Sequence, residues 1–191
     1  TSSAASDVYK RQGLNTSEPV VGGNDFWVLK FDNDLSCLLW ETVTGGAEED
    51  RAKSVIEADV NGINRIVAFG DTESQFGANP LDDPSYLSMQ FDPDNGLPLL
   101  NATNVYRSSH FDWGYDVKAT SDGGFIMCGS SYGSEDFDVK GKSKGIKDFW
   151  ILKTDANGDI VWEELFGGYS HDQASSIIQV ADNKYVVAGT I

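Results

Sequence analysis

Short stretches of alternating apolar and other residues recur along the chain, separated by turns rich in Gly, Asp and Asn. Phe26–Phe31 alternates in this way, the turn Asp32–Asp34 follows, and Leu38–Val43 comes next. Alternation with a period of two residues is typical of a strand with one buried face. No segment carries a sustained apolar stripe with the 3.6-residue period of a helix. The pattern therefore predicts an all-β chain with little or no helix.

Twelve short strands are predicted on this pattern, joined in pairs by tight turns. Asn61-Gly62, for example, is a dipeptide that favours a hairpin turn. Gly70–Pro84 and Ser130–Lys147 are predicted as long polar loops. The predicted strands are Phe26–Phe31, Leu38–Val43, Lys53–Ala58, Arg65–Phe69, Tyr86–Phe91, Leu99–Val105, Tyr115–Thr120, Phe125–Cys128, Phe149–Thr154, Ile160–Leu165, Ala174–Val180 and Tyr185–Ala188.

The strands belong to a unit that occurs about three times. Asp148–Gly189 aligns with a copy that starts at Asp25, and a weaker copy runs from Tyr86 to Gly129. The units cover about residues 24–70, 85–129 and 147–191. A unit of four antiparallel strands buries its faces only against its neighbours, so the copies must pack side by side. We therefore predict a fragment of a β-propeller with about three four-stranded antiparallel blades.

The order of the motifs is similar to that of the kelch blade. By this resemblance, Tyr185–Gly189 (YVVAG) would be a second strand, Asp148–Lys153 (DFWILK) a third strand and Ile160–Glu164 (IVWEE) an outermost strand. Ala174–Val180 would then be innermost. The resemblance also implies that blades start near Asp50, Asp112 and Asp172, so that each sequence unit is divided between two blades.

The motifs resemble still more closely the repeats of large secreted or surface proteins of bacteria that export through a type IX pathway. Those repeats carry DFW-x-[LV]-K-x-D-x-x-G-x-I-x-W, GG-x-x-x-D-x-A-x-S-I and T-x-DGG-[YF]-I-x-x-G. Asp148–Trp162, Gly167–Ile177 and Thr120–Gly129 carry the corresponding residues here. The resemblance covers nearly all of residues 22–191 and departs from the pattern where Tyr86-Leu87 replaces Phe-Trp. It implies an extracellular or cell-surface bacterial protein.

The first twelve residues are set aside because Ser2–Gln12 (SSAASDVYKRQ) resembles the in-frame translation of a sequencing adapter. The partial repeat domain is taken as residues 13–191. Its pattern begins and ends within a unit, so we interpret the chain as a piece of a longer protein. The remaining blades of that protein are expected to be its neighbours.

The chain carries 14 Lys and Arg against 30 Asp and Glu, a net charge of −16. Because nucleic-acid affinity depends on basic residues that neutralise phosphates, this surface predicts no nucleic-acid partner. No membrane insertion is predicted, and an anionic membrane surface is disfavoured for the same reason. An acidic, Gly- and Asn-rich, Lys-poor composition fits a secreted bacterial protein. Cys37 and Cys128 fall at non-equivalent places of their units and are predicted to be unpaired.

Three recurring aspartates, Asp50, Asp112 and Asp172, are the best candidates for ligand binding. Each precedes a predicted innermost strand, in loops that would surround one mouth of a propeller channel. A ring of carboxylates could coordinate a cation such as Ca²⁺ or hold a polar ligand, for example a glycan or a protein. An Asp at this place also accepts backbone N–H bonds and fixes the turn, so both interpretations remain open.

A second calcium pattern is weaker. Asp155, Asn157 and Asp159 have the spacing of the first EF-hand ligands, but Ile160 stands where that loop requires Gly and the late Glu is missing. Asp136 and Asp138 in a long loop are a further weak option. Solvated turns account better for these residues. We therefore predict no cofactor and no metal ligand, with calcium as a weak alternative.

Four tryptophans recur at fixed positions of the unit. Such residues could stack against sugars, but repeated large apolar side chains are what blades bury between them. We therefore predict that they form the structural core. They are Trp27, Trp40, Trp150 and Trp162.

An enzyme is poorly supported by the residue inventory. His110 and His171 are the only histidines, no Gly-x-Ser-x-Gly is present, and no arginine recurs between units. The predicted function is a non-enzymatic repeat module of a secreted or cell-surface protein that binds a protein or glycan or acts as a spacer. The alternative is a propeller hydrolase or lyase that acts on polysaccharide, with carboxylates from several blades at the channel mouth.

Overall fold

The computed structural model describes residues 21–76 and 83–191 and contains twelve strands there. The residues attributed to the adapter lie outside the described ranges. The only helix in the described ranges is the three-residue 3₁₀ turn Ala181–Asn183, and none there is long and apolar enough to cross a membrane. The strands are β1 Phe26–Phe31, β2 Leu38–Thr44, β3 Asp50–Val60, β4 Ile63–Thr72, β5 Ser85–Phe91, β6 Pro98–Tyr106, β7 Asp112–Ala119, β8 Phe125–Ser131, β9 Asp148–Thr154, β10 Ile160–Phe166, β11 Gln173–Val180 and β12 Lys184–Thr190.

The predicted all-β class is confirmed, and each predicted strand corresponds to an observed one. The differences lie at the strand ends. β3 begins at Asp50 and β4 ends at Thr72, whereas apolar alternation placed these ends at Lys53 and Phe69. The ladder continues through polar residues, pairing Asp50 with Thr72, because backbone hydrogen bonds do not require apolar side chains.

The strands form four antiparallel sheets with a regular order. Two sheets have four strands each, β3-β4-β5-β6 and β7-β8-β9-β10, and two have two strands each, β1-β2 and β11-β12. The sequence unit Asp148–Gly189 is divided between two sheets. Its first two strands complete one four-stranded sheet, and its last two form the following two-stranded sheet. The described strands therefore make two complete four-stranded sheets and two half-sheets rather than three complete sheets.

Consecutive sheets pack face to face, and an apolar cluster fills each of the three spaces between them. Strand β8 illustrates this packing, because it has a sheet on both faces and is therefore fully buried. Phe125 and Met127 of β8 point to one side, and Ile126 and Cys128 point to the other. Buried members of the three clusters, in chain order of the sheets, include Phe26, Leu87 and Met89; Phe69, Tyr86 and Trp150; and Ile126, Ala174 and Ile177.

The first strands of three consecutive sheets meet at Asp116 of β7. Its Oδ1 accepts a hydrogen bond from Ser54 Oγ of β3 at 2.8 Å. Its Oδ2 accepts bonds from Ser176 Oγ at 3.0 Å and from the Ile177 N–H at 3.1 Å, both of β11. Burial opposes ionisation of Asp116, but these bonds and one from Lys118 outweigh it, so the pKa is lowered. A charged side chain thus ties the first strands together.

Candidate functional site

The three recurring aspartates are buried at the start of the first strands. Asp50 and Asp112 are the first residues of β3 and β7, and Asp172 lies directly before β11. In each case the carboxylate accepts a hydrogen bond from the backbone N–H four residues earlier, which fixes the loop that enters the strand. These bonds run from Gly46 N to Asp50 (2.6 Å), from Ser108 N to Asp112 (2.5 Å) and from Gly168 N to Asp172 (2.5 Å).

Two of these carboxylates also accept hydrogen bonds from side-chain hydroxyl groups. Asp50 accepts bonds from Thr72 Oγ1 and, at 2.9 Å, from Ser74 Oγ. Asp112 accepts one from Ser108 Oγ at 3.0 Å, and burial raises its pKa to about 7 despite the hydrogen bonds it accepts. This is the geometry of a carboxylate that fixes a turn, the alternative that the sequence left open. Direct ligand binding by the three aspartates stays a prediction.

The first glycine of the motif's glycine pair is explained by carboxylates at this end of the sheets. A Cβ at Gly45 would clash with Asp25 Oδ1 and lie 2.6 Å from Asp50 Oδ2. A Cβ at Gly167 would clash with Asp148 Oδ1 and lie 2.5 Å from Asp172 Oδ2. These loops therefore need glycine because the backbone passes directly over two acidic side chains.

The residue after each recurring Asp differs between the sheets. It is Arg51 on β3, Trp113 on β7 and Gln173 on β11, and all three are partly exposed. An invariant buried position is thus followed by a variable position at the surface. Two of these variable residues, Arg51 and Trp113, begin the two walls of a cleft.

The first wall is an ionic cluster around Arg51. Its Nη1 lies 3.1 Å from Asp71 Oδ2 and 3.0 Å from Glu73 Oε1, and its Nη2 lies 3.3 Å from Glu49 Oε2. Asp71 is buried beside its partly exposed partner. Burial raises the pKa of Asp71, although the guanidinium of Arg51 opposes this shift.

The second wall is aromatic. The rings of Phe111 and Trp113 are nearly parallel, at 6° with centroids 5.6 Å apart, and Tyr132 meets both edge-on. Lys147 Nζ lies 5.6 Å from the centroid of the Trp113 ring, within the range of a cation–π contact. Tyr132 Oη lies 3.4 Å from His171 Nδ1, which continues the cluster toward the next sheet.

The two walls enclose an open cleft of about 410 Å³. Arg51, Asp71 and Glu73 line one side, and Phe111, Trp113 and Tyr115 line the other. Burial, and secondarily the charge of Asp71, raises the pKa of Tyr115, so this phenol keeps its proton. The cleft therefore combines apolar ring surface with hydrogen-bond donors and acceptors, the usual make-up of a small-molecule or sugar site.

The four recurring tryptophans occupy different environments. Trp150 is fully buried, 4.5 Å from Tyr86 between ring centroids, and Trp40 is partly buried against the first apolar cluster. Trp27 and Trp162 are 37% and 36% exposed. The difference follows from position, because Trp27 and Trp162 stand on faces without a complete sheet opposite them in the described ranges.

Two of these indoles each donate a hydrogen bond to a glutamate on the paired strand. Trp150 Nε1 donates to Glu163 Oε2 at 2.9 Å, and Trp27 Nε1 donates to Glu41 Oε2 at 3.3 Å. The sequence alignment paired these glutamates without showing their role. In the structure Glu163 satisfies the indole donor of the fully buried Trp150, whereas Glu41 binds that of the partly exposed Trp27.

The acidic residues considered for calcium accept hydrogen bonds from backbone N–H groups, within the turn for Asp155 and from another loop for Asp136 and Asp138. Asp155 Oδ1 accepts bonds from the N–H groups of Asn157 and Asp159, both at 2.9 Å. Asp138 Oδ2 accepts one from the Arg107 N–H at 3.0 Å, and Asp136 Oδ2 one from the Ser109 N–H at 3.3 Å. No group of three or more potential metal-binding side chains occurs in residues 21–76 and 83–191. Calcium binding stays a weak prediction, which calorimetric titration would test.

The two cysteines are free, as expected. Cys128 is buried, and burial raises the pKa of its thiol to about 12. No family model matches this sequence, and no curated protein matches it significantly.

The recurring positions lie at the same end of the sheets as the cleft, but they did not indicate the exposed residues there. Trp113, Asp71 and Tyr132 were not singled out, because the repeat alignment emphasises positions that stay the same. The signal that could have found them is a departure from the repeat rather than agreement with it. A charged or aromatic residue that breaks the repeat directly beside a recurring buried Asp is exposed and has no packing role that recurs.

Proposed function

We propose that this chain is part of a β-propeller in which the two four-stranded sheets are blades and the two half-sheets belong to two further blades. Three observations support this. The strand order is the same in both four-stranded sheets, consecutive sheets pack face to face, and the first strands converge on Asp116. Convergence of first strands toward one line is what radial packing requires.

The proposed function is non-enzymatic glycan binding by a module of a secreted or cell-surface bacterial protein. The cleft carries this proposal, because exposed aromatic rings there face the hydrogen-bonding groups of the ionic cluster. Aromatic faces pack against the apolar faces of sugar rings, while charged side chains hydrogen-bond to hydroxyl groups. The bacterial surface location is supported by the motif resemblance and by composition.

A glycan array followed by calorimetry tests this function. The chain is expected to bind a neutral oligosaccharide, and Phe111→Ala is expected to weaken that binding about tenfold or more, since a lost ring contact of about 1.4 kcal/mol changes affinity tenfold. Phe166→Ala is the matched control, because Phe166 is similarly exposed but lies outside the cleft. Absence of binding to every glycan would favour the spacer function. Equal loss in both variants would exclude the cleft.

A second candidate, a hydrolase or lyase acting on polysaccharide, is favoured by one observation. Asp71 is buried beside Glu73 and burial raises its pKa, and a raised carboxyl pKa is one feature of a general acid. Ion pairing of both carboxylates with Arg51 favours binding over catalysis. Release of reducing ends from polysaccharide by the chain, lost in Asp71→Asn, would establish the enzyme instead.

A further inference from the structure

The aromatic wall continues beyond the cleft. Strand β7 packs against β3 of the preceding sheet and against β11 of the following sheet. The cleft lies on the side of β3, where Arg51 and Asp71 face Trp113. Trp113 also has neighbours on the side of β11, and none of them lines the cleft. This tryptophan therefore stands between two groups of surface residues at the same end of the sheets.

The first component on the side of β11 is a row of rings. The Tyr132 ring meets Trp113 edge-on with centroids 5.6 Å apart, and the His171 ring lies 6.0 Å from the Tyr132 ring. Trp113 and Tyr132 are partly exposed, and His171 is exposed directly before the start of β11. Accessible ring surface thus runs from the cleft across β7 to the next sheet.

The second component is a set of hydrogen-bonding groups beside these rings. Lys147 Nζ lies 3.2 Å from Gln173 Oε1 and 5.6 Å from the centroid of the Trp113 ring. A backbone bridge joins Lys147 to His171 and holds both beside β11. An ammonium group has three N–H donors and a glutamine amide has two, so this pair retains donors for a further partner.

The two sides of Trp113 therefore have the same make-up from different residues. Each combines exposed ring surface with hydrogen-bonding side chains, which together suit one sugar ring and its hydroxyl groups. Trp113 and Gln173 each follow a buried Asp that accepts backbone hydrogen bonds at the start of its strand. Their positions are thus fixed before a ligand arrives, which lowers the cost of ordering the site.

We propose that a second subsite adjoins the cleft and that the glycan is a linear oligosaccharide of at least two sugar units, which lies across β7. Trp113 is shared, so successive units contact it from its two sides. The inference rests on the glycan binding proposed above and extends it to the class of glycan. The second subsite is formed by Trp113, Tyr132, Lys147, His171 and Gln173.

The dependence of affinity on chain length tests this subsite. The probes are linear oligosaccharides of glucose, N-acetylglucosamine, mannose and xylose, in lengths from one to four units, titrated into the full chain by calorimetry. Any other glycan that binds on the array is added with its own fragments of one and two units. Two units should bind at least about tenfold more tightly than one, because the second unit adds a contact with an aromatic ring.

Variants on the two sides of Trp113 separate the subsites. The double variant His171→Ala with Gln173→Ala should weaken binding of two or more units about fivefold through lost hydrogen bonds, and leave binding of one unit unchanged. Phe111→Ala should weaken binding at every length, because Phe111 lines the cleft. Gln179→Ala is the matched control, since Gln179 is also partly exposed on β11 but lies near the other end of that strand.

The outcomes distinguish failure of the second subsite from failure of the proposed function. Equal affinity for one unit and for longer oligosaccharides, or a double variant that behaves like Gln179→Ala, would overturn the second subsite. In that case Phe111→Ala would still lower a measurable affinity. If the unmodified chain binds none of the glycans, the proposed function fails and the second subsite fails with it.

Discussion

The complete sheets and the half-sheets carry the same strand pattern in different surroundings. Val55, Val117 and Ile177 each lie five residues after a recurring Asp on a first strand. Val117 and Ile177 are buried because a preceding sheet covers them, but Val55 is largely exposed. Apolar alternation therefore determines where a strand forms, whereas burial depends on a neighbouring sheet.

The largest expected effect comes from comparing two equivalent tryptophans. Trp150→Ala should lower the free energy of unfolding by about 3–5 kcal/mol, because it opens a cavity between two complete sheets. Trp27→Ala should cost less than half of that, because Trp27 is already partly exposed. Chemical denaturation of both variants checks this. Equal losses would contradict the comparison.

The next largest effect on the free energy of unfolding should come from Asp116, the residue that joins the first strands. Asp116→Asn should cost about 1–3 kcal/mol, because it weakens bonds accepted from Ser54, Ser176 and the Ile177 N–H in a buried place. Asp94→Asn, on an exposed turn, should change stability by no more than about 0.5 kcal/mol. If the two substitutions had the same effect on the denaturation midpoint, Asp116 would not join the sheets.

The free energy of unfolding should also depend on pH through Asp112, which lies in a complete sheet. Over any single pH unit this effect should be smaller than the two above. Burial raises the pKa of Asp112 to about 7, whereas the pKa of an Asp in the unfolded chain is about 4. The folded state therefore binds the proton more tightly. The resulting stability is fully present below about pH 4 and is lost as the pH rises through about 7, at no more than about 1.4 kcal/mol per pH unit.

The matched variants for this dependence are Asp112→Asn and Asp94→Asn. The first should remove the decline in the denaturation midpoint between about pH 4 and pH 7, and the second should keep it. A decline that persists unchanged in Asp112→Asn would mean that another group causes it.

The sequence predicted the all-β class and the strands because these depend on local chemistry. Alternation located the strands, and glycine at Gly45 and Gly167 marked loops that pass over buried carboxylates. The polar ends of β3 and β4 were missed because their ladder does not depend on apolar side chains.

The cleft could not be predicted in the same way. Arg51 and Asp71 are 20 residues apart and meet only because β3 pairs with β4. Phe111, Trp113 and Tyr132 come together from a loop, a first strand and the loop after β8. Such a site depends on register and on loop paths, which composition and spacing do not determine.

Hydrogen exchange followed by mass spectrometry tests the central claim most directly. β8 and β9 should be strongly protected, because both have paired edges and covered faces. β1 and β12 should exchange much faster, because each is paired along one edge only in the described ranges. Protection of β1 and β12 equal to that of β8 and β9 would contradict the distinction between complete sheets and half-sheets.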